Sequence, residues 1–472
     1  MSLSSALSNA VSGLTVSAKR AQIVSTNIAN ASVDGFARRE LDTSSGLYGG
    51  VQADGVTRVV NTAIQADRRL SEAEMEGHSD SAAMLSRLET VIGMADSDTS
   101  LSNLITAVET SLITASADPS SDIALADVVT KLSAVTSALV DNSYAVQSLR
   151  ADADADIAAQ VDTLNASLTK VDELNEEIVR MSYVGGDASN LMDQRQSLID
   201  TIGQIVPIKE VDRGNGAVGL STPAGMVLLS DGPVEFGFDA SPIVTADMSV
   251  GGTLSSLTID GELLTDRQMD RLDGGTLGAA FTLRDETLVS AQTGLDEIAA
   301  DLISRFQNAE IDPTLETGQA GLLTAAGGFW DGSVTVGLAA QIAVNQNVLD
   351  DVSLIRDGIG AETGRSSGDA TQIDRWLSGL SQKQTLASGG AAETAAGHAA
   401  NFASQISAAR VTAEDNLAYA SARYDALREA ELSDGVDTDY ELQSLLSIEQ
   451  AYAANARLIQ AVDGMLQQLM EI

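Results

Sequence analysis

Each end of this 472-residue chain carries an apolar seam at coiled-coil spacing, and that pair of seams limits the possible folds most. Near the start, Leu3, Leu7, Ala10, Leu14, Ser17, Ala21, Val24, Ile28 and Ala31 follow alternating steps of four and three. Towards the end, Leu445, Ile448, Tyr452, Asn455, Ile459, Val462, Leu466 and Leu469 do the same. This is the period that keeps two helices face to face. Chain ends usually fray, so two terminal seams predict ends kept for pairing, with each other or with neighbouring subunits. Asn455 interrupts its apolar run as a polar residue that fixes register would. Charge helps: residues 1–40 carry four bases against two acids, and 412–472 three against twelve.

The length suggests about three domains. The first helix is predicted to stop near Asn30, and 36–63 reads as Gly-rich and irregular. Apolar stripes at Leu85, Leu88 and Ile92, then from Leu101 to Leu112, predict further helices. A long one follows from about Ser120 to Met181, and another runs from Leu191 until Pro207 stops it. From Ile208 to Leu272 the pattern changes to short β-branched runs between turn pairs such as Asn215-Gly216 and Asp260-Gly261. Helix returns from Leu283 to Gln307, 325–360 reads as Gly-rich and strand-like, and the last helices run from Phe402 to Leu432 and Tyr440 to Met470. The predicted fold is mainly α with inserted β, an α+β multidomain chain whose terminal helices pair as a coiled coil. The predicted division is 1–45 with 411–472 as the inner coiled-coil domain, 46–206 with 273–410 as a helical middle domain, and 207–272 as a β-rich outer domain.

The formal net charge of -40 repels nucleic acid and anionic membranes, so neither is an expected partner. No cysteine is present, which removes disulfides and thiolate chemistry. The first thirty residues lack a basic n-region and an apolar h-region, and no run approaches the roughly 18 apolar residues of a membrane span. Export without a cleaved signal peptide is the corresponding expectation.

Little supports catalysis, a metal or a cofactor. Gly214 to Gly219 formally fits the dinucleotide fingerprint, but Pro223 and Gly225 follow in a β-like run, so it reads as a hairpin turn. Asp152, Asp154 and Asp156 lack the Gly and Glu of a calcium loop and read as a solvated helix face. His78 and His398 are the only imidazoles, and neither lies in a ligand cluster.

Ser12-Gly13-Leu14, Asn27-Ile28-Ala29-Asn30 and Asp34-Gly35-Phe36 resemble the N-terminal signature of bacterial flagellar axial proteins, the rod, hook and hook-associated group. Gln450 to Gln460, with Tyr452 and Asn455, resembles that group's C-terminal signature. Inside, Asn190-Leu191-Met192-Asp193-Gln194-Arg195 and Gly274 to Gly278 with Leu283-Arg284-Asp285 resemble the hook-associated protein 1 family, the proteins of the hook–filament junction. That resemblance implies a structural, non-enzymatic role in the extracellular flagellum, exported through the flagellar type III apparatus. It implies as partners other copies of the chain, the hook protein, the second junction protein and an export chaperone at the C-terminal region. The implied assembly interface is Leu3, Leu7, Ala10, Leu14, Ala21, Val24, Ile28, Asn30, Leu445, Ile448, Tyr452, Asn455, Ile459, Val462, Leu466 and Leu469. Alternatives that remain open are a hook protein, the second junction protein, or a wall-hydrolysing enzyme on an axial scaffold.

Overall fold

The computed structural model describes residues 3–33, 35–47, 49–94, 97–332 and 336–470, the side chain of Leu469 excepted. Helix α1 (Leu3–Ala29) leads into an antiparallel hairpin, β1 (Arg38–Ser45) and β2 (Val51–Val59), where the sequence predicts irregular chain. The strands form because α1 anchors them. The Asn27 side chain donates to the carbonyl of Arg39 and accepts from its amide, both at 3.0 Å, and Gly49 and Gly50 turn the chain at φ 93° and 82°. Arg39 is an inward-facing residue, so the usual apolar alternation is hidden.

Side-chain caps start the next helices: Asn61 on α2 (Thr62–Ile92), Ser100 on α3 (Leu101–Ala117) and Ser121 on α4 (Asp122–Tyr183) each accept from a first-turn amide. At 62 residues, α4 is about 93 Å long. Helix α5 (Ser189–Ile205) ends before Pro207. Two three-stranded antiparallel sheets follow, β3 (Lys209–Gly214), β4 (Ala217–Ser221) and β5 (Val227–Leu229), then β6 (Phe236–Gly237), β7 (Thr258–Ile259) and β8 (Glu262–Leu263). After α6 (Asp266–Met269) and α7 (Gly275–Thr282), a π turn at Leu283–Thr287 runs directly into α8 (Leu288–Gln307). The segment beyond holds β9 (Leu323–Ala325) paired with β10 (Ile342–Val344), then α9 (Gln346–Asp350), α10 (Leu354–Asp357), α11 (Thr371–Ser381) and the hairpin β11 (Gln384–Leu386) and β12 (Gly389–Glu393). Helix α12 (Ala395–Ser433) starts earlier than the predicted Phe402 because Thr394 caps it, accepting from Gly397 N at 3.1 Å. Helix α13 (Thr438–Met470) closes the chain, and the whole is mainly α with small inserted sheets.

Two apolar cores lie along α4. The first joins its N-terminal half, from Leu125 to Ala153, with the end of α2, α3, α8, α11 and the start of α12. The second joins Ile157 to Val171 with α5, α7 and the buried residues Leu220, Leu228, Phe236 and Leu257. Residues 207–272 therefore share a core with helices of the body instead of enclosing one of their own. Part of α4 is long and apolar enough to cross a membrane by length and composition, which corrects the expectation that no segment is. Its leucines and valines are spent on these two cores.

Helices α2 and α12 run antiparallel, and ion pairs bridge them at successive heights. Arg410 meets Glu89 at 2.7 Å, Arg423 meets Glu74 at 2.8 Å and Arg68 meets Glu431 at 2.6 Å. As the α12 number rises, the α2 number falls.

Candidate assembly interface

The two chain ends meet as an antiparallel pair, α1 against α13. Gly13 faces Asn455, and Asn27 Nδ2 donates to Glu441 Oε1 at 3.1 Å, so ascending one helix descends the other. A Cβ on Gly13 would stand 2.7 Å from Asn455 Nδ2, so any larger residue here forces the Asn455 side chain to shift. The polar residue on the seam thus packs where the partner helix has no side chain.

Of the sequence-predicted interface residues, Ala10, Val24 and Val462 are buried. Leu3, Leu7, Leu14, Ala21, Ile28, Asn30, Leu445, Ile448, Asn455 and Ile459 are half-buried. Tyr452 and Leu466 remain exposed, at 48% and 37%. Leu469 has its side chain outside the described set. Asn30 bonds back to Thr26 O at 2.8 Å, which caps its own helix. The predicted interface left out Gly13, Asn27, Arg38 and Glu441, all polar or without a side chain and so invisible to an apolar pattern, although Gly13 and Asn27 stand in the N-terminal signature. Beside the seam, Val11, Leu442, Leu446, Leu458 and Met465 stay exposed on the flanks of the pair.

Polar contacts tie this pair to the body. Glu441, almost wholly buried, accepts from Arg38 Nε at 2.8 Å, and the Arg38 guanidinium lies 5.2 Å from the Tyr440 ring centre. The Asn190 to Arg195 stretch explains itself here. Arg39 Nη2 donates to Asn190 Oδ1 at 2.8 Å and to Asp193 Oδ2 at 2.5 Å, while Arg58 Nε reaches Asp193 Oδ1 at 2.8 Å. One turn of α5 therefore clamps both strands of the hairpin. Arg195 points the other way, donating to Asn175 Oδ1 at 2.7 Å and Gly216 O at 2.6 Å. Burial pulls its guanidinium down to about 10; Glu210 opposes this and Arg58 and Arg69 add to it.

Among the described residues no group of three or more His, Asp or Glu could hold a metal ion. His398 Nε2 donates to Gln384 O at 2.9 Å. The glycine run is the turn between β3 and β4, with Asn215 at φ 52°. The aspartate run needs a correction. Asp152 and Asp156 are exposed, but Asp154 is fully buried. It accepts from Arg284 Nη1 and from Ser241 N, both at 2.5 Å. Arg284, itself fully buried, also holds Asp285 at 2.7 Å and lies 5.4 Å and 5.0 Å from the Phe238 and Phe281 ring centres. This ionic knot sits where the two apolar cores meet, at the π turn.

The family model for the flagellar hook-associated protein FlgK helical domain matches residues 85–348, more than half of the chain. The chain belongs to the FlgK family. A second model, the C-terminal part of flagellar basal body rod FlgEFG proteins, matches residues 433–472, which is α13 with its lead-in. Flagellar hook-associated protein 1 of Bacillus subtilis is 23% identical over 96% of this chain and 96% of its own length. The Escherichia coli protein of that name is 24% identical over 64% of this chain, and the match spans 56% of that protein. The Salmonella typhimurium one is 23% identical over the same shares. Among solved structures, the flagellar hook junction protein FlgK from Burkholderia pseudomallei aligns at 18% identity and a TM-score of 0.46, over 55% of this chain and 46% of that one. The FlgK helical-domain match runs from the end of α2 through both cores into α9, and so includes Asp154, Arg195 and Arg284.

Proposed function

We propose that this chain is a structural subunit of the bacterial flagellum that polymerises through α1 and α13 and joins hook to filament. The observation that carries the reading is the meeting of both chain ends in one antiparallel pair whose flanks leave Val11, Leu442, Leu446, Leu458 and Met465 in water. Exposed apolar rows on one element mark a surface that another molecule covers. Membership in the FlgK family supplies the setting. The partners are other copies of the chain, the hook protein, the second junction protein and, before export, a chaperone on the C-terminal region. The corresponding division takes 1–45 with 411–472 as the assembling module, 46–206 with 273–410 as the body, and 207–272 as a β-rich insert seated on it. The role is mechanical, with no reaction to catalyse.

Tagged protein on isolated flagella tests this. A single band between hook and filament is the expected result. Label spread along the hook or the filament, or absent from flagella, would overturn the reading.

A further inference from the structure

We propose that the tip of the β1–β2 hairpin is a knob by which one copy of this chain docks into a cleft of the next. The inference rests on the assembly reading above. Leu47, at the tip, is 98% exposed. An isolated two-stranded hairpin would be mobile, but this one is fastened along α1 at both ends and between. Asn27 holds Arg39, Arg20 Nη2 donates to Thr43 Oγ1 at 3.1 Å, and Val51 N donates to Ser12 Oγ at 3.2 Å. A leucine is thus presented to water on a braced support.

The receptor lies at the other end of the same helix. A cleft of about 570 Å³ opens between the end of β2, α5 and the end of α12. Val33, Val59 and Leu432 line it while remaining exposed, with Phe36 beside them. Most of its charges are partnered within the chain: Arg68 is held by Glu72, Asp200 and Glu431, Arg38 by Glu441 and Arg58 by Asp193, while Asp434 accepts from Asn61. An uncharged occupant therefore leaves most of these ions with their partners.

Charge selects a second copy of the hairpin as that occupant. Two chains of net charge -40 repel, so contact is cheapest through segments without carboxylates. Residues 43–53 contain no ionisable acid or base apart from the phenol of Tyr48, and residues 1–18 contain none in their side chains. These two segments adjoin through Val51 and Ser12. From Ser12 to the end of the helix at Ala29, beside the cleft, is roughly 26 Å. A knob and a socket on different parts of one chain make a head-to-tail contact, which propagates into rings or helical arrays.

Leu47→Asp tests the knob. Because Leu47 touches little in the monomer, the variant should melt as the parent does, while protein recovered in isolated flagella, scored relative to the amount exported, falls about tenfold or more. The chain has no cysteine, so a Leu47→Cys and Leu432→Cys double variant offers one new disulfide between copies. Oxidation of flagella carrying it should give a ladder of multimers, and each single variant none. This cross-link decides the matter where Leu47→Asp is retained in the cell. Wild-type incorporation of Leu47→Asp, no ladder from incorporated double variant, or dimers from Leu47→Cys alone would each overturn the proposal. Absence of the parent protein from flagella would instead sink the assembly reading beneath it.

Discussion

The α2–α12 and α1–α13 pairs are both long and antiparallel, yet they differ in what lies on the faces turned away from the partner. No large apolar side chain of α2 is exposed among the described residues, because α5 and α7 cover what α12 leaves open. On α13, by contrast, only Glu441 and Val462 are buried among the described residues, and leucines, tyrosines and methionines face water along its length. Ion pairs finish the first pair at three heights. The second pair has a buried polar tie at Glu441. A similar heptad pattern can therefore specify a contact completed within one chain or a contact left for a neighbour. What distinguishes them is the third layer.

If that contrast holds, the body should respond to damage in its own knot and ignore damage at the ends. The largest effect is expected from Arg284→Ala. It leaves Asp154 fully buried without its cation, and breaking a buried pair in this way costs about 3–5 kcal/mol. The urea midpoint of the body should drop sharply while the slope stays near that of the parent. An unchanged midpoint would show that water or a rearranged side chain replaces the guanidinium, and the knot would then not join the two cores.

Gly13→Val probes the opposite region with a smaller expected cost. The new side chain meets Asn455 at the point of closest approach, and overpacking of this kind costs about 1–3 kcal/mol. That cost should fall on the terminal pair alone, seen as faster proteolysis within 1–30 and 440–470 with the main melting transition in place. A shifted main transition would mean that the ends are part of the body's cooperative unit, and the comparison would fail.

Leu466→Asp should do less still to the monomer. Leu466 is 37% exposed, so its carboxylate replacement keeps much of its water, and the monomer should lose no more than about 1 kcal/mol. The effect should appear in assembly, as filament subunits shed into the medium by cells that retain hooks. Normal filaments would remove α13 from the assembling surface.

The parts of this contrast that were legible in the sequence are those set by short-range rules. The apolar period of α4 and α5, and Pro207 after them, predicted helices that the structure contains. The seams told that α1 and α13 have an apolar stripe, but an apolar stripe does not say how far the partner covers it. Asp154 was misread because its cation lies 130 residues away at Arg284. On a helix, Asp152 and Asp156 share one face while Asp154 points elsewhere. The β1–β2 hairpin was missed for a similar reason: its register rests on Asn27 and Asp193, polar contacts across the fold that leave no alternation to read.

The smallest expected effect sharpens the comparison through pH. Asp80 lies in a cleft between α2 and α4, with Glu76 and Asp156 facing it and the Arg87–Asp152 pair at the side. Loss of water in the cleft wall, then the charges of Glu76 and Asp156, push its carboxyl up to about 6. A raised carboxylate pKa means that the folded state takes up the proton first as pH falls. Between about 6 and the ordinary value near 3.8, the folded state therefore binds more protons than the unfolded one, and this group's contribution to stability rises as pH falls. Above pH 6 both states are ionised and the folded state bears the full repulsion. Because Asp80 reaches solvent, screening should hold the effect under about 1 kcal/mol. Asp80→Asn removes the titration, so the parent should gain stability relative to the variant when melted at pH 4.5 instead of 7.5, whatever the other carboxylates do to both. That difference should appear in the body's transition and be absent from the proteolysis of the terminal pair. A difference of opposite sign would mean that Asp80 is stabilised as the anion, with Arg87 turned towards it and away from Asp152.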